Sequence, residues 1–207
     1  MQSADRLSYS VTVSSRDAFS KYVRAAATSR QGVRLSYAAV CHPSGYIDFS
    51  PIQLQLPVAK GGGSMSARAM LSGDRGVTVG AGEGVLRITI GSVDTTILQT
   101  RLAQLVLSPL QQYNPYLVFE KVQDTKEMGR AMRRFRISQT GYWFAGYLLQ
   151  EPMTGMPHLP RSMKNVTVSQ VLDAIAKGFR GVVAYGECKN PNGTKLFRLD
   201  FYSFPGD

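Results

Sequence analysis

Long apolar runs are missing from this chain. No stretch approaches the roughly 18 consecutive apolar residues that a membrane-crossing helix needs, so no transmembrane segment is expected. The opening Met1-Gln2-Ser3-Ala4-Asp5-Arg6 also lacks the apolar core of a secretion signal. Met1 reads either as a native start, implying a cytoplasmic protein, or as a start placed ahead of a processed chain, implying an exported, periplasmic one. Histidine and cysteine are scarce, with two of each. Cys41, His42, His158 and Cys188 include no pair at the short spacing of zinc ligands, so no metal is expected. His42 points away from Cys41 on an extended chain, which argues against a thiol activated by its neighbour.

Other catalytic signatures are absent too. Lys60-Gly61-Gly62-Gly63-Ser64 lacks the Gly-Lys-Ser/Thr ending of a nucleotide-binding loop. A loop with a serine cap is the simplest account of it, and an anion held at the following helix is the alternative. Asp48, Asp74, Asp94, Glu120, Asp124, Glu151 and Asp173 fall in turns, caps or helix faces, with no pairing that announces a general acid and base. Neither a cofactor nor an active site is expected, and a hydrolase or transferase with an unfamiliar site has no named residues behind it.

What is present suits a folded chain. A 43% hydrophobic and 18% charged composition has too much apolar surface for disorder, and 207 residues suffice for one large domain or two small ones. The 24 Lys and Arg against 14 Asp and Glu give a formal charge of +10, which favours anionic partners. Arg6, Arg16, Lys21, Arg24, Arg30 and Arg34 are scattered like solvated faces, whereas Arg130, Arg133, Arg134 and Arg136 are concentrated.

The pattern of elements is α+β. Leu7 to Val13 alternates as a half-buried strand, and Ser14 or Ser15 caps a helix with Phe19, Tyr22, Val23 and Ala26 on one face, closed by Gly32. Val33 to Val40 reads as a strand, the turn around Pro43 and Gly45 leads to another extended run, and Ile52, Leu54 and Leu56 alternate again. Ser64 caps a short helix through Ala67, Met70 and Leu71, and residues 77 to 90 form a hairpin. Ile97 to Leu107 suits helix or strand, and Pro109 to Pro115 reads as a loop.

The order then restarts. Tyr116 to Val122 reads as a strand, and Asp124 with Glu127 makes a capping box for a helix carrying Met128, Ala131, Met132 and Phe135. Gly141 to Leu149 reads as an aromatic strand and Pro152 to Pro160 as a loop. Thr167 with Gln170 caps the clearest amphipathic helix, Val168, Val171, Leu172, Ile175 and Phe179. A hairpin turning at Asn190-Pro-Asn-Gly193 ends the chain.

Each half thus reads strand, helix, strand, strand, helix, strand, strand, and in this order it resembles the short N-terminal domain of secretins and TonB-dependent receptors. The closest stretch is Met163-Lys-Asn-Val-Thr-Val-Ser-Gln-Val-Leu-Asp-Ala-Ile-Ala-Lys177, where a strand meets a capped helix. The resemblance implies two tandem modules, residues 5–93 and 116–207, joined by a connector over 94–115, each with helices packed on a mixed or antiparallel sheet. It implies a periplasmic domain that works by protein contacts without catalysis. The chain has no secretin or barrel segment, so a detached adaptor or scaffold is the form the expectation takes.

Three sets of residues stand out. Cys41 and Cys188 each follow a β-rich run and precede a Pro- and Gly-containing turn, so comparable loops are able to present them for a disulfide, with two separate thiols as the alternative. Arg130, Arg133 and Arg134 lie at helical spacing with Arg136 just beyond, which suits an acidic partner or successive phosphates, and equally the negative end of a helix dipole. Tyr142, Trp143, Phe144 and Tyr147 offer stacking surfaces for single-stranded nucleic acid, although burial is the default for Trp143. The expected function is a non-enzymatic protein–protein interaction module of a bacterial envelope assembly. The alternative is a nucleic-acid-binding protein using the basic helix and the adjacent aromatic strand.

Overall fold

Twelve strands and four helices are seen in the computed structural model, which describes residues 7–13, 32–38, 40–41, 47–48, 52–58, 77–82, 84–140, 155–190 and 192–203. In chain order they are β1 (Leu7–Val13), β2 (Gly32–Ala38), β3 (Val40–Cys41), β4 (Ile47–Asp48), β5 (Ile52–Val58), β6 (Val77–Gly82), β7 (Val85–Ile90) and β8 (Arg101–Val106). There follow α1 (Pro109–Gln112), α2 (Pro115–Gln123), α3 (Lys126–Phe135), β9 (Ile137–Gln139), β10 (Ser162–Thr167), α4 (Val168–Gly178), β11 (Gly181–Lys189) and β12 (Lys195–Ser203). The fold is α+β.

A six-stranded mixed sheet in the order β6-β7-β2-β11-β12-β9 organises the molecule. The β6–β7 and β11–β12 pairs are antiparallel hairpins, as the turn residues predict, with Gly84 and Gly193 at positive φ in their connections. Between them β2 pairs in parallel with β7 on one side and with β11 on the other. Strands from both halves of the sequence therefore share one sheet. β1 and β5 form a separate antiparallel pair whose register sets Leu7, Tyr9, Val11 and Val13 opposite Val58, Leu56, Leu54 and Ile52.

Both faces of the sheet's centre are buried. Val33, Leu35 and Tyr37 of β2 turn to one side with Ile88, Val182 and Ala184, and all are buried. Gly186 lies opposite Tyr37, and a side chain there would occupy the space of the Tyr37 ring. The other side, with Val85, Val183, Tyr185, Phe197, Leu199 and Phe201, carries the helices and forms the main core. Helix α4 contributes Val168, Val171, Leu172, Ile175 and Ala176 to it, the face that the amphipathic pattern predicts. Its start is the expected capping box: Thr167 accepts from Gln170 N at 3.2 Å, and the Gln170 side chain accepts from Thr167 N at 2.8 Å.

The middle of the chain departs from expectation. Tyr116 to Val122 is helical, not a strand. Tyr116, Val118 and Val122 fit a period of two, but Val118, Phe119 and Val122 equally make a helical face, and the caps decide. Asn114 accepts from Tyr116 N at 2.9 Å and Leu117 N at 3.3 Å, with Pro115 pre-set for the first helical position. The expected loop over Pro109 to Pro115 likewise contains α1, held by a capping box of Ser108 and Gln111.

Thr125, not Asp124, caps α3. Asp124 ends α2 with helical dihedrals, φ −73° and ψ −5°, whereas Thr125 is extended and accepts from Met128 N at 3.4 Å. Of the ambiguous stretch Ile97 to Leu107, residues 101–106 form β8, antiparallel to β10. In β8 Leu102 and Leu105, three apart, are both buried, and Asn165 of β10 adopts a left-handed φ of 53°. Gly32 opens β2; the helix it was expected to close lies outside the described residues, as do the helix through Ala67 and Leu71 and the aromatic strand from Gly141.

Candidate functional site

Among the described residues, four of the arrangements that bring chemistry-bearing side chains together bear on function. The first is covalent: Cys41 of β3 and Cys188 of β11 form a disulfide, with Cα atoms 5.2 Å apart and a sequence separation of 147. Cys188 is on the same side of β11 as Val182, Ala184 and Gly186, so the bond ties β3 and its partner β4 to the sheet face away from α4. Both sulfurs are consumed, and neither offers a thiolate.

The second arrangement lies between α4 and the sheet. Arg34 and Arg87 are directly opposite each other in the β2–β7 ladder, and both reach Asp173 of α4. Arg34 Nη1 lies 3.3 Å from Asp173 Oδ1 and donates to the carbonyl and hydroxyl oxygens of Ser169, one helical turn earlier. Arg87 Nε donates to Asp173 Oδ2 at 3.0 Å, and its Nη2 closes on the same oxygen. Arg34 is thus buried, not part of a solvated face. Burial lowers its pKa, the Asp173 charge raises it, and neighbouring Arg87 lowers it again.

The third arrangement clasps the segment after β7 to the last hairpin. Asp94 accepts from Thr96 N at 2.9 Å and pairs with Lys195 of β12, while its own N–H donates to Glu187 of β11. The second Glu187 oxygen accepts from the Tyr185 hydroxyl at 3.1 Å. Hydrogen bonds from Lys195 and then Thr96 hold the Asp94 carboxyl at about 2, whereas burial above all raises Glu187 and Tyr185. Both Glu187 oxygens are engaged, so this carboxylate acts as a bracket between strand and loop.

The fourth is the basic row. Helix α3 buries Met128 and Ala131, and its other side exposes Lys126, Arg130, Arg133 and Arg134. Positions 126, 130 and 133/134 make one stripe at helical spacing. Exposed Arg136 follows in a left-handed C-cap with φ 52°, and its carbonyl accepts from Lys195 N at 3.1 Å, anchoring the helix end to the sheet. The Arg134 guanidinium lies 5.3 Å from the centroid of the Phe135 ring, which is 42% exposed. Among the described residues none of these five cations is in an ion pair.

The residues singled out in sequence are distributed accordingly. Cys41 and Cys188 meet; Arg130, Arg133, Arg134 and Arg136 share one exposed surface; Tyr142 and Trp143 lie outside the described residues. His158 is exposed and lies against the Tyr113 ring, centroids 5.2 Å apart. Among the described residues no three His, Cys, Asp or Glu side chains gather as metal ligands, and no helix is long and apolar enough to cross a membrane. The Arg34–Asp173–Arg87 and Asp94–Glu187 arrangements were not anticipated. Their only signals are a charged residue inside an apolar strand, as in Val33-Arg34-Leu35 and Leu86-Arg87-Ile88, and an aspartate within the apolar run of α4. No family model, curated protein or solved structure matches the chain.

Proposed function

We propose that the protein is a non-enzymatic interaction module, an adaptor or scaffold of a bacterial envelope assembly. The observation that carries this reading is the disulfide between Cys41 and Cys188, since such bonds persist in oxidising compartments and are rare in the cytosol. The engaged state of the chemistry-bearing groups supports the non-enzymatic part. Asp173 is held by two arginines, Glu187 by a backbone N–H and a phenol, and the sulfurs by each other. The strand-to-capped-helix segment Met163 to Lys177 is consistent with the secretin and TonB N-terminal domain resemblance.

The test is fractionation of producing cells, with alkylation in the absence of reductant and mass measurement of the product. Cysteines protected from alkylation in an envelope fraction are the expected result. Two alkylated thiols on a cytoplasmic chain sink the proposal. The uncompensated row on α3 favours a second reading, a nucleic-acid-binding protein. Its mark is affinity for oligonucleotide that falls steeply with salt, with a slope flattened by Arg133→Ala/Arg134→Ala.

A further inference from the structure

We infer that the basic stripe of α3 is a docking surface for an acidic segment of a protein partner. The inference rests on the interaction-module reading for its compartment and supplies the surface and the partner's chemistry.

The stripe is more than a helix complementing its own dipole. Positive charge in the last turn, Arg133 and Arg134, opposes the partial negative charge there, but Lys126 stands at the first helical position, where a cation is unfavourable. Lys126 with Arg130, and Arg130 with Arg133 and Arg134, are like-charge neighbours at three- and four-residue spacing, each mildly destabilising. Glu127 is the only carboxylate within the helix, and it forms no ion pair among the described residues. The inward-facing Arg34 and Arg87, by contrast, share Asp173. Charge left uncompensated on one rigid helix is complementary to an anion supplied from outside.

The surface is fixed in place. Met128 and Ala131 pin the helix to the core, and Arg136 is tied through its carbonyl to Lys195. From Lys126 to Arg136 the helical rise spans about 15 Å, enough to meet several consecutive side chains of an extended or helical segment.

Phe135 favours a protein partner over a bilayer or a single strand. Its ring carries the Arg134 guanidinium rather than standing clear to enter an acyl layer or stack on a base. The contact instead holds a guanidinium plane of the kind that meets a carboxylate with two parallel hydrogen bonds. Arginine beside a half-exposed aromatic is also the composition enriched at protein interfaces.

The experiment titrates the full-length oxidised chain at physiological salt with three probes. They are a short labelled Glu/Asp-rich peptide, a single-stranded oligonucleotide of equal length, and vesicles of phosphatidylglycerol and phosphatidylcholine. The peptide is expected to bind most tightly. Arg133→Glu/Arg134→Glu should weaken it by about tenfold or more, and Arg133→Lys/Arg134→Lys, which keeps the charge and loses the fork, by roughly threefold. Unchanged circular dichroism spectra establish that both variants are folded, as their exposure leads one to expect. Tighter binding of oligonucleotide or vesicles, or a charge-reversed variant that binds the peptide like the parent, overturns the inference. Either failure leaves the compartment reading intact, because the alkylation pattern of the same preparation reports on that separately.

Discussion

Arg34 and Arg87 on the sheet and Arg133 and Arg134 on α3 carry the same side chain in opposite settings. In the first pair Arg34 is buried beneath α4 and Arg87 is partly exposed; the two sit side by side in a parallel ladder and are drawn to one carboxylate, Asp173. The second pair is exposed, flanked by Lys126, Arg130 and Arg136, and has no carboxylate partner among the described residues. Buried guanidinium groups demand compensation from within, because desolvated charge is costly, whereas exposed ones tolerate its absence since water supplies it. The sheet pair is therefore assigned to holding α4 on the sheet, and the exposed row to contacts outside the molecule.

The largest expected effect breaks the comparison on its buried side. Asp173→Ala leaves the buried Arg34 under α4 with no counter-charge, beside the partly exposed Arg87, and should lower stability by about 3–5 kcal/mol in urea unfolding. Pairing Asp173→Leu with Arg34→Met removes the buried charge and its partner together and should recover most of that loss. A loss below about 1 kcal/mol for Asp173→Ala would mean that Arg34 finds solvent, and the contrast with α3 would collapse.

On the opposite face of the sheet a covalent tie does the corresponding work. Replacing both Cys41 and Cys188 by serine frees a very long loop in the unfolded chain, and the expected loss is about 2–5 kcal/mol in the same assay. Because this site and Asp173 lie on different faces of β11 and β2 with no shared partner, the two losses should add. A markedly smaller combined loss would show that the disulfide and the ion cluster stabilise one and the same contact.

An ion pair of intermediate exposure sharpens the contrast. Lys195 and Thr96 hold the Asp94 pKa down to about 2, so the stabilisation is present above the ordinary carboxylate range, about pH 4, and is lost as pH falls towards 2. Glu187 behaves oppositely: its folded-state pKa is raised by burial, so protonation on acidification relieves rather than removes stability. Asp94→Asn isolates the first effect. The variant should be less stable than the parent by under about 1 kcal/mol near neutral pH, with the two converging near pH 2. Parallel stability curves across that range would refute the assignment.

Local signals made the periphery of the fold legible and left its centre hidden. The two hairpins and α4 follow from turn residues, alternation and a capping box that occupy adjacent positions in the chain. Nothing local announces that β2 lies between β7 and β11, because parallel pairing between strands so far apart in sequence is a tertiary event. Tyr116 to Val122 is ambiguous by periodicity because three of its apolar residues satisfy both periods, and the signal that decides is Asn114-Pro115 as N-cap and first helical position. The candidate sites divide in the same way. The arginine row is visible because its members are neighbours on one helix, whereas Arg34 resembled any surface arginine until the ladder set it beside Arg87 and beneath Asp173.

The smallest expected effect concerns the exposed row, and its smallness is the informative part. Arg133→Glu/Arg134→Glu places two carboxylates late in α3, where they oppose the dipole, and also relieves the repulsion from Arg130 and Lys126. These contributions are of similar size and opposite sign, so the unfolding free energy should move by no more than about 0.5 kcal/mol. A row that matters to binding but not to folding must show this dissociation: stability near that of the parent, with affinity for the acidic peptide lost. A loss of stability comparable to that of Asp173→Ala would instead mean that the arginines of α3 are compensated from within, and would return them to the same class as Arg34 and Arg87.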